Sequence, residues 1–392
     1  MLESFRLKNF KAVQDSKTVN FTPLTVFIGN NGSGKSSLIE GLATYRMMII
    51  SSQNNAMKPW LGFNHIRNHA VPHLFQDSGV ERPYETNPIE FHLKTKNYET
   101  TMIVTKGQGI DEVFIQEESL KVHGKLEVKR NAQGEVYLPQ KSEILPSKWS
   151  DHESIIDCSF LRNEFWRNKL PSLEILENII LHWQFLNLNS QIMGLPLTKT
   201  DNSYKRLLEN DGSNIAEYLR LIYQQDKSAY NGIIETIKYV LPYTQDIQPK
   251  LTSDSKQNLY IELTEDGFKV PSWLLSTGTL RILALLAILR NPQPAPLIVI
   301  EEIENGLDPR SIHLIVEEIK NVVEAGKAQI ILTTHSPYLL DQLTLSQIIL
   351  VERDQNGQPT FSRPGDQKSL QEWSKKFTPG KLYTMNRLSQ KG

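Results

Sequence analysis

Among 392 residues there is one cysteine, Cys158, which excludes an internal disulfide and a cysteine-based zinc site. No apolar run approaches the roughly 20 residues a membrane-spanning helix needs. The longest strongly apolar stretch lies around Ile282 to Leu289, so no membrane partner is expected. The opening, MLESFRLKNFKAV, lacks the apolar centre of a secretory signal, which points to the cytoplasm. Charge of one sign is also missing: 43 Lys and Arg face 44 Asp and Glu, a net charge of −1. Any grip on nucleic acid would therefore need a local patch. Internal repeats, low-complexity tracts and long heptad runs are absent. What remains, 22% charged and 39% hydrophobic, is a globular chain of two to three units.

Leu2 to Leu7 alternates apolar and polar residues, and Thr18 to Phe21 does so again after a polar bend, as an antiparallel strand pair would. Pro23 to Ile28 reads as a buried strand running into Gly29–Ser37, after which Leu38, Ile39 and Leu42 have helical spacing. From Ile89 to Leu138, short alternating runs separated by turn residues predict a strand meander. Helical periodicity dominates from Ser154 to about Tyr239, as in a helical insertion. A strand is expected over Asn258–Leu263. An α/β half follows, with helices over Leu280–Arg290 and Ser311–Glu324 and strands over Leu297–Ile300 and Gln329–Thr333. The polar tail beyond Asp354 shows little pattern.

Gly29-Asn30-Asn31-Gly32-Ser33-Gly34-Lys35-Ser36 fits G-x-x-x-x-G-K-[ST], between a predicted strand and a predicted helix as its mechanism requires. Its glycines let backbone N–H groups curl round phosphates, and Lys35 can reach the β and γ oxygens. The Ser36 hydroxyl can take a Mg2+ coordination site, Ser37 extends the cradle, and the helix N-terminus adds a positive dipole end. ATP with Mg2+ is the expected ligand. Leu297–Ile300 is a continuous apolar run ending in Glu301-Glu302, and buried parallel strands deliver chemistry at their carboxyl ends. Glu301 would hold the metal and Glu302 would polarise the attacking water, although with Glu304 nearby the same residues also read as a solvated charge cluster.

Taken together, the motifs resemble ABC-type ATPases of the SMC, RecF and overcoming-lysogenization-defect (OLD) group. Leu275-Ser276-Thr277-Gly278-Thr279 resembles their signature loop, Asn305-Gly306-Leu307-Asp308-Pro309 their D-loop, and Thr333-Thr334-His335-Ser336-Pro337 their switch-histidine segment. The opening from Phe5 to Phe10 through the phosphate loop is similar to the SMC, RecF and OLD ATPases, and Leu208 to Leu219, with Asp211-Gly212-Ser213-Asn214, resembles a segment of the stand-alone ATPases of that group. The resemblance implies an α/β P-loop NTPase core with an N-terminal antiparallel β lobe and a helical insertion. Residues 1–150 would hold the phosphate loop and meander, 151–250 the insertion, and 251–392 the second half of the core. It further implies an ATP-dependent head-to-tail dimer, or a higher oligomer. Ser276, Gly278 and Thr279 of one copy would meet the γ-phosphate held by Lys35 of the other; His335 would sense it and Asp308 would couple the sites. Ser276 also reads as an ordinary N-cap, and His335 as a packed core histidine. Gln184 is a candidate for the glutamine loop, and Arg6 or Lys8 could lie against adenine, although both also read as solvated strand charges.

About 240 residues separate Ser36 from Ser276, unlike the short spacing of transporter ATPases, and long heptad arms are missing. Ile348 to Asp354 faintly resembles the start of a Toprim nuclease, but the tail has no Asp-x-Asp to complete a metal site, so it reads as a last strand. By resemblance, the chain is an ATPase controlling a separate effector, a nuclease or toxin, in prokaryotic anti-phage defence. The alternative is a RecF-like repair ATPase that clamps DNA when ATP-bound. Trp183, Trp166 and Phe160 to Phe165 could serve partner binding or be plain core aromatics. His65, His69 and His73 share a helical spacing, but Pro72 breaks it, and metal binding is not expected there. Lys121 to Arg130 reads as a solvated strand face.

Overall fold

The computed structural model describes residues 1–51, 53–60, 87–106, 113–144, 154–156, 170–198, 207–253 and 257–389. His65, His69, His73, Cys158, Phe160 to Phe165 and Trp166 lie outside them. The chain forms two compact units. The first comprises Met1–Thr22, Gly29–Trp183 and Ile349–Ser362; the second comprises Pro23–Ile28, Gln184–Ile348 and Arg363–Gly392. These units interleave along the sequence and cut across the expected boundaries at 150 and 250. The reason is strand pairing between distant segments, which no local pattern announces.

In the first unit, β1 (Leu2–Phe10) pairs antiparallel with β2 (Val13–Asp15) and β3 (Val19–Asn20), as expected, and also with β5 (Ile89–Thr95). The meander continues through β6 (Tyr98–Lys106), β7 (Val113–Val122), β8 (Lys125–Arg130), β9 (Val136–Leu138) and β10 (Glu143–Ile144), giving nine strands in one sheet. Alternation places Phe5, Leu7, Phe91 and Leu93 on the buried face. Helix α1 (Lys35–Ile50) lies against this face: a Cβ on Gly41 would come within 2.4 Å of Leu7. Its Tyr45 is fully buried with its hydroxyl 2.6 Å from that of Thr100, and burial pushes its pKa up. Arg46 donates to the last carbonyls of α2 (Pro171–Leu181), those of Ile180 and Leu181, a favourable place for a cation. Lys121 and Lys129 pair with Glu99 and Glu117 across the strands, as a solvated strand face would, but Arg130 is buried and departs from that reading.

The second unit holds a parallel sheet in the order β11 (Gln184–Leu186), β15 (Leu297–Ile300), β16 (Gln329–Thr334), β4 (Leu24–Ile28). Every residue of β4, β15 and β16 is buried, as continuous apolar runs covered on both faces should be. Strand β11 lies within the stretch expected to be dominated by helices; its three residues are too few to leave a periodicity. The rest of that stretch is helical where described, with α3 (Ile215–Gln225) and α4 (Lys227–Val240). They adjoin an antiparallel sheet of β12 (Thr244–Leu251), β13 (Leu259–Glu265) and β14 (Phe268–Pro271).

Helix α5 (Thr277–Leu289) is buried from Thr279 to Leu289, which explains its apolar sequence on every side. Helix α6 (Pro309–Glu324) is amphipathic, and Arg290 at the end of α5 grips its Glu318 with two bonds of 3.0 and 2.7 Å. In the first unit, β17 (Ile348–Arg353) is the expected last strand of the core, but it turns back as a hairpin with β18 (Pro359–Ser362). Helices α7 (Lys368–Trp373) and α8 (Pro379–Thr384) follow in the second unit, so the tail is more ordered than its composition suggested. Among the described residues, no helix is long and apolar enough to cross a membrane.

Candidate functional site

The candidate residues fall into two groups, one in each unit. In the first, the chain leaves β4 at Ile28 and wraps through Gly29–Gly34 into α1. Gly32 (φ 73°) and Gly34 (φ 110°) adopt left-handed backbone that L side chains rarely tolerate. Gly34 and Gly29 also sit where a Cβ cannot: it would lie 2.5 Å from the Pro359 ring and 2.1 Å from the Val351 carbonyl oxygen, respectively. Lys35 is buried at the start of α1, and its Nζ donates to the carbonyls of Gly29 (2.7 Å) and Asn30 (3.1 Å). Asn30, Asn31 and Ser36 are exposed, whereas Ser33 and Ser37 are buried. Among the described residues, the Ser33 hydroxyl has no hydrogen-bond partner. An orphaned buried hydroxyl beside left-handed glycines and a tethered lysine is a cradle with capacity for an oxyanion.

In the second unit, the candidates gather at the carboxyl end of the parallel sheet. Glu301 N–H donates to the Leu186 carbonyl (2.9 Å), tying the end of β15 to β11. Glu302 follows in left-handed backbone (φ 47°), its N–H on Thr333 Oγ1 (2.8 Å) and its carboxylate receiving the Asn305 amide at 2.5 Å. Glu304 accepts the His335 N–H at 2.5 Å, fixing the backbone at the end of β16. Asp308 caps α6, accepting from the N–H groups of Arg310 and Ser311 and from the Ser311 hydroxyl (2.6 Å). Those bonds, the Ser311 hydroxyl foremost, lower its pKa. Ser276 caps α5 in the same way, taking the Thr279 N–H at 3.1 Å, and both Ser276 and Thr277 are exposed. Gly278 is required here, because a Cβ would lie 2.7 Å from the Gly306 carbonyl oxygen.

Four features were not anticipated. Arg353 in β17 donates through Nε to the Gly32 carbonyl at 2.8 Å, steadying the phosphate loop. Arg281, the charged residue of buried α5, donates to the carbonyls of Leu188 (2.7 Å) and Glu302 (2.9 Å), and its Nε has no partner among the described residues. Burial lowers its pKa, while Glu302 and Glu304 act the other way. Asn305 and Glu304 orient Glu302 and His335. Finally, a polar cavity of about 450 Å³ opens between the loop after β11 (Asn187, Asn189, Gln191) and Thr277, Arg281 and Asn305. An isolated charge in an apolar helix was the one signal that could have pointed to Arg281.

Gln184 is buried inside β11 with its amide on the Leu208 carbonyl, so the polar loop of that strand lies a few residues later. Arg6 is bound bidentately by Asp15 and Lys8 by Glu90 at 2.8 Å, in line with strand-face charges. Trp183 is buried, a core aromatic.

Residues 1–231 match the family described as "AAA ATPase domain". Residues 139–341 match one described as "AAA domain, putative AbiEii toxin, Type IV TA system". A curated relative, the "ATP/GTP phosphatase" of Helicobacter pylori (strain ATCC 700392 / 26695), is 23% identical over 382 residues, covering 89% of this chain and 88% of the relative. Among solved structures, an SMC head bound to the C-terminal winged-helix domain of ScpA is 15% identical, with 92% of this chain and 97% of that one covered and a TM-score of 0.48. The SMC head of Pyrococcus furiosus bound to the C-terminal domain of ScpA is 15% identical, with 96% and 99% covered and a TM-score of 0.42.

Proposed function

The chain belongs to the AAA ATPase domain family and is an ATP-hydrolysing enzyme; from that premise we propose that it works as a head-to-tail, ATP-sandwich dimer that controls a separate effector. The observation that carries this reading is the open end of α5. Ser276 and Thr277 are exposed there, at a helix N-terminus that can give N–H donors to an anion from outside the chain. Lys35 would meet the β- and γ-phosphates of ATP in one copy, while Ser276, the Gly278 N–H and, once released from its Ser276 cap, the Thr279 N–H would come from the other.

The oxygen donors fit magnesium: Ser36 offers an exposed hydroxyl and Glu301 a carboxylate, both hard ligands. These two would hold the ion, which when bound supplies charge neutralisation for the phosphates. Glu302 would take a proton from the water whose oxygen attacks the γ-phosphorus. The bond to the β–γ bridging oxygen breaks, and ADP and phosphate leave. His335 would contact the γ-phosphate, and Asp308 would pass the state of one site to the other.

The effector reading, a toxin or nuclease in anti-phage defence, is supported by the toxin–antitoxin description of the family matched by residues 139–341. Light scattering of Glu302→Gln protein tests the dimer. The expected result is a doubling of mass only with Mg-ATP, and none with Lys35→Ala. Unchanged mass while ATP still binds would overturn the sandwich. Steeply salt-dependent DNA binding by the ATP-bound form would replace effector control with a DNA clamp.

A further inference from the structure

We infer that Asn305 is a positioning residue for Glu302, and that the signature loop of the same chain sets where Asn305 stands. The inference deepens the proposed function and rests on its reading of Glu302 as the group that receives the proton.

The backbone of Glu302 is held on both sides. Its N–H is bound by Thr333 Oγ1 at 2.8 Å, and its carbonyl accepts from Arg281 Nη2 at 2.9 Å. Between these anchors it adopts φ 47°, a conformation a glutamate keeps only when its surroundings over-determine it, and such strain concentrates at working sites. The carboxylate itself is exposed, and its hydrogen bond among the described residues is the one from Asn305 Nδ2 at 2.5 Å to Oε2. An exposed, unbranched side chain otherwise samples several rotamers. One amide donor restricts it to a single aim and leaves Oε1 free to accept from water.

The neighbouring residue links this arrangement to the signature loop. Gly306 is left-handed (φ 71°), and a Cβ there would lie 2.8 Å from Thr277 Cγ2. A Cβ on Gly278 would in turn lie 2.7 Å from the Gly306 carbonyl oxygen. The two loops meet in close contact, Gly278 against the Gly306 carbonyl and the Thr277 methyl against the Gly306 backbone. A shift of Thr277–Gly278 must therefore displace Gly306 and Asn305 beside it. Whatever loads the signature loop is thereby felt at the Glu302 carboxylate of the same chain.

The test uses the full chain with Mg-ATP, steady-state hydrolysis, and binding of a fluorescent ATP analogue. Asn305→Ala is expected to lower kcat about ten-fold with KM and nucleotide affinity unchanged. Asn305→Asp keeps the shape, loses the donor and sets a carboxylate against Glu302, so it should fall at least as far as Ala. Asn305→Gln, which restores an amide donor, should recover part of the loss. A space-filling role predicts the opposite order, with Asp close to wild type, and that order overturns the inference. In a Glu302→Gln background, Asn305→Ala should have no further effect; an additive loss also counts against it. If Glu302→Gln hydrolyses ATP at the wild-type rate, the reading of Glu302 fails. If Glu302→Gln is inert while the Asn305 variants match wild type, this inference alone fails.

Discussion

In the first unit, anion capacity is built from main chain. Left-handed glycines turn the loop, Lys35 is tethered by two carbonyls, and Arg353 holds a third. In the second unit, the loop after β15 is built from side chains: Asn305 on Glu302, Glu304 on the His335 amide, and Arg281 and Thr333 on the backbone of Glu302. The two loops differ in what they tolerate. A loop made of backbone fails when any Cβ intrudes, whereas a loop made of side chains fails by degrees as single donors are removed.

The largest expected effect breaks the first loop. Gly34→Val combines φ 110° with a Cβ 2.5 Å from the Pro359 ring and should reduce ATP affinity by about 100-fold or more, measured by calorimetric titration. Gly32→Ala sharpens the point. It faces the same kind of backbone restriction but meets open space, so its loss should be clearly smaller. Equal losses would mean that conformation, not crowding, limits the loop.

In the second loop, Arg281→Ala removes a buried bond to the Leu188 carbonyl and a part-buried one to the Glu302 carbonyl from a buried helix. It should lower unfolding stability by about 2–4 kcal/mol, read from denaturant midpoints. A loss under about 0.5 kcal/mol would show that the network is decorative. Arg353→Ala is milder: with the bond to Gly32 gone but the glycines intact, ATP affinity should drop a few-fold, checked by the same titration.

The contrast also explains what could be read from residues alone. Gly29–Ser36 was legible because backbone that must curl needs glycine at fixed spacing, and fixed spacing is what a linear pattern records. The core strands β4, β15 and β16 were legible for a similar reason, as unbroken apolar runs. Asn305, Glu304 and Arg353 were not, because each acts through a partner chosen by tertiary placement; Arg353 meets Gly32 from 321 positions away. Strand β11 was hidden by its brevity, and the tail helices α7 and α8 by their polar composition. Ser276 and Asp308 show a subtler limit. The capping bonds that make them ordinary helix starts use the same side chains to which the family resemblance gives a second role, Ser276 at a partner's γ-phosphate and Asp308 in coupling the two sites, so each motif is open to either reading.

The smallest expected effect lies outside both loops and serves as their control. Arg6 and Asp15 form a bidentate pair on the N-terminal strands, with bonds of 3.0 and 2.8 Å. The Arg6 guanidinium, foremost, holds the Asp15 carboxyl well below the usual carboxylate range, against an opposing desolvation cost. Because the folded-state pKa lies below the unfolded one, the pair stabilises the fold above about pH 4, and that contribution fades as pH falls further and Asp15 takes up a proton. Side chains 35% and 20% exposed are screened by solvent, so the contribution should be no more than about 1 kcal/mol. Thermal melts should show Asp15→Asn slightly less stable than wild type at pH 7, with the gap closing toward pH 2. ATP affinity should not change. A lowered affinity would place Arg6 against the adenine after all and extend the nucleotide site from the phosphate loop to the strand face of β1.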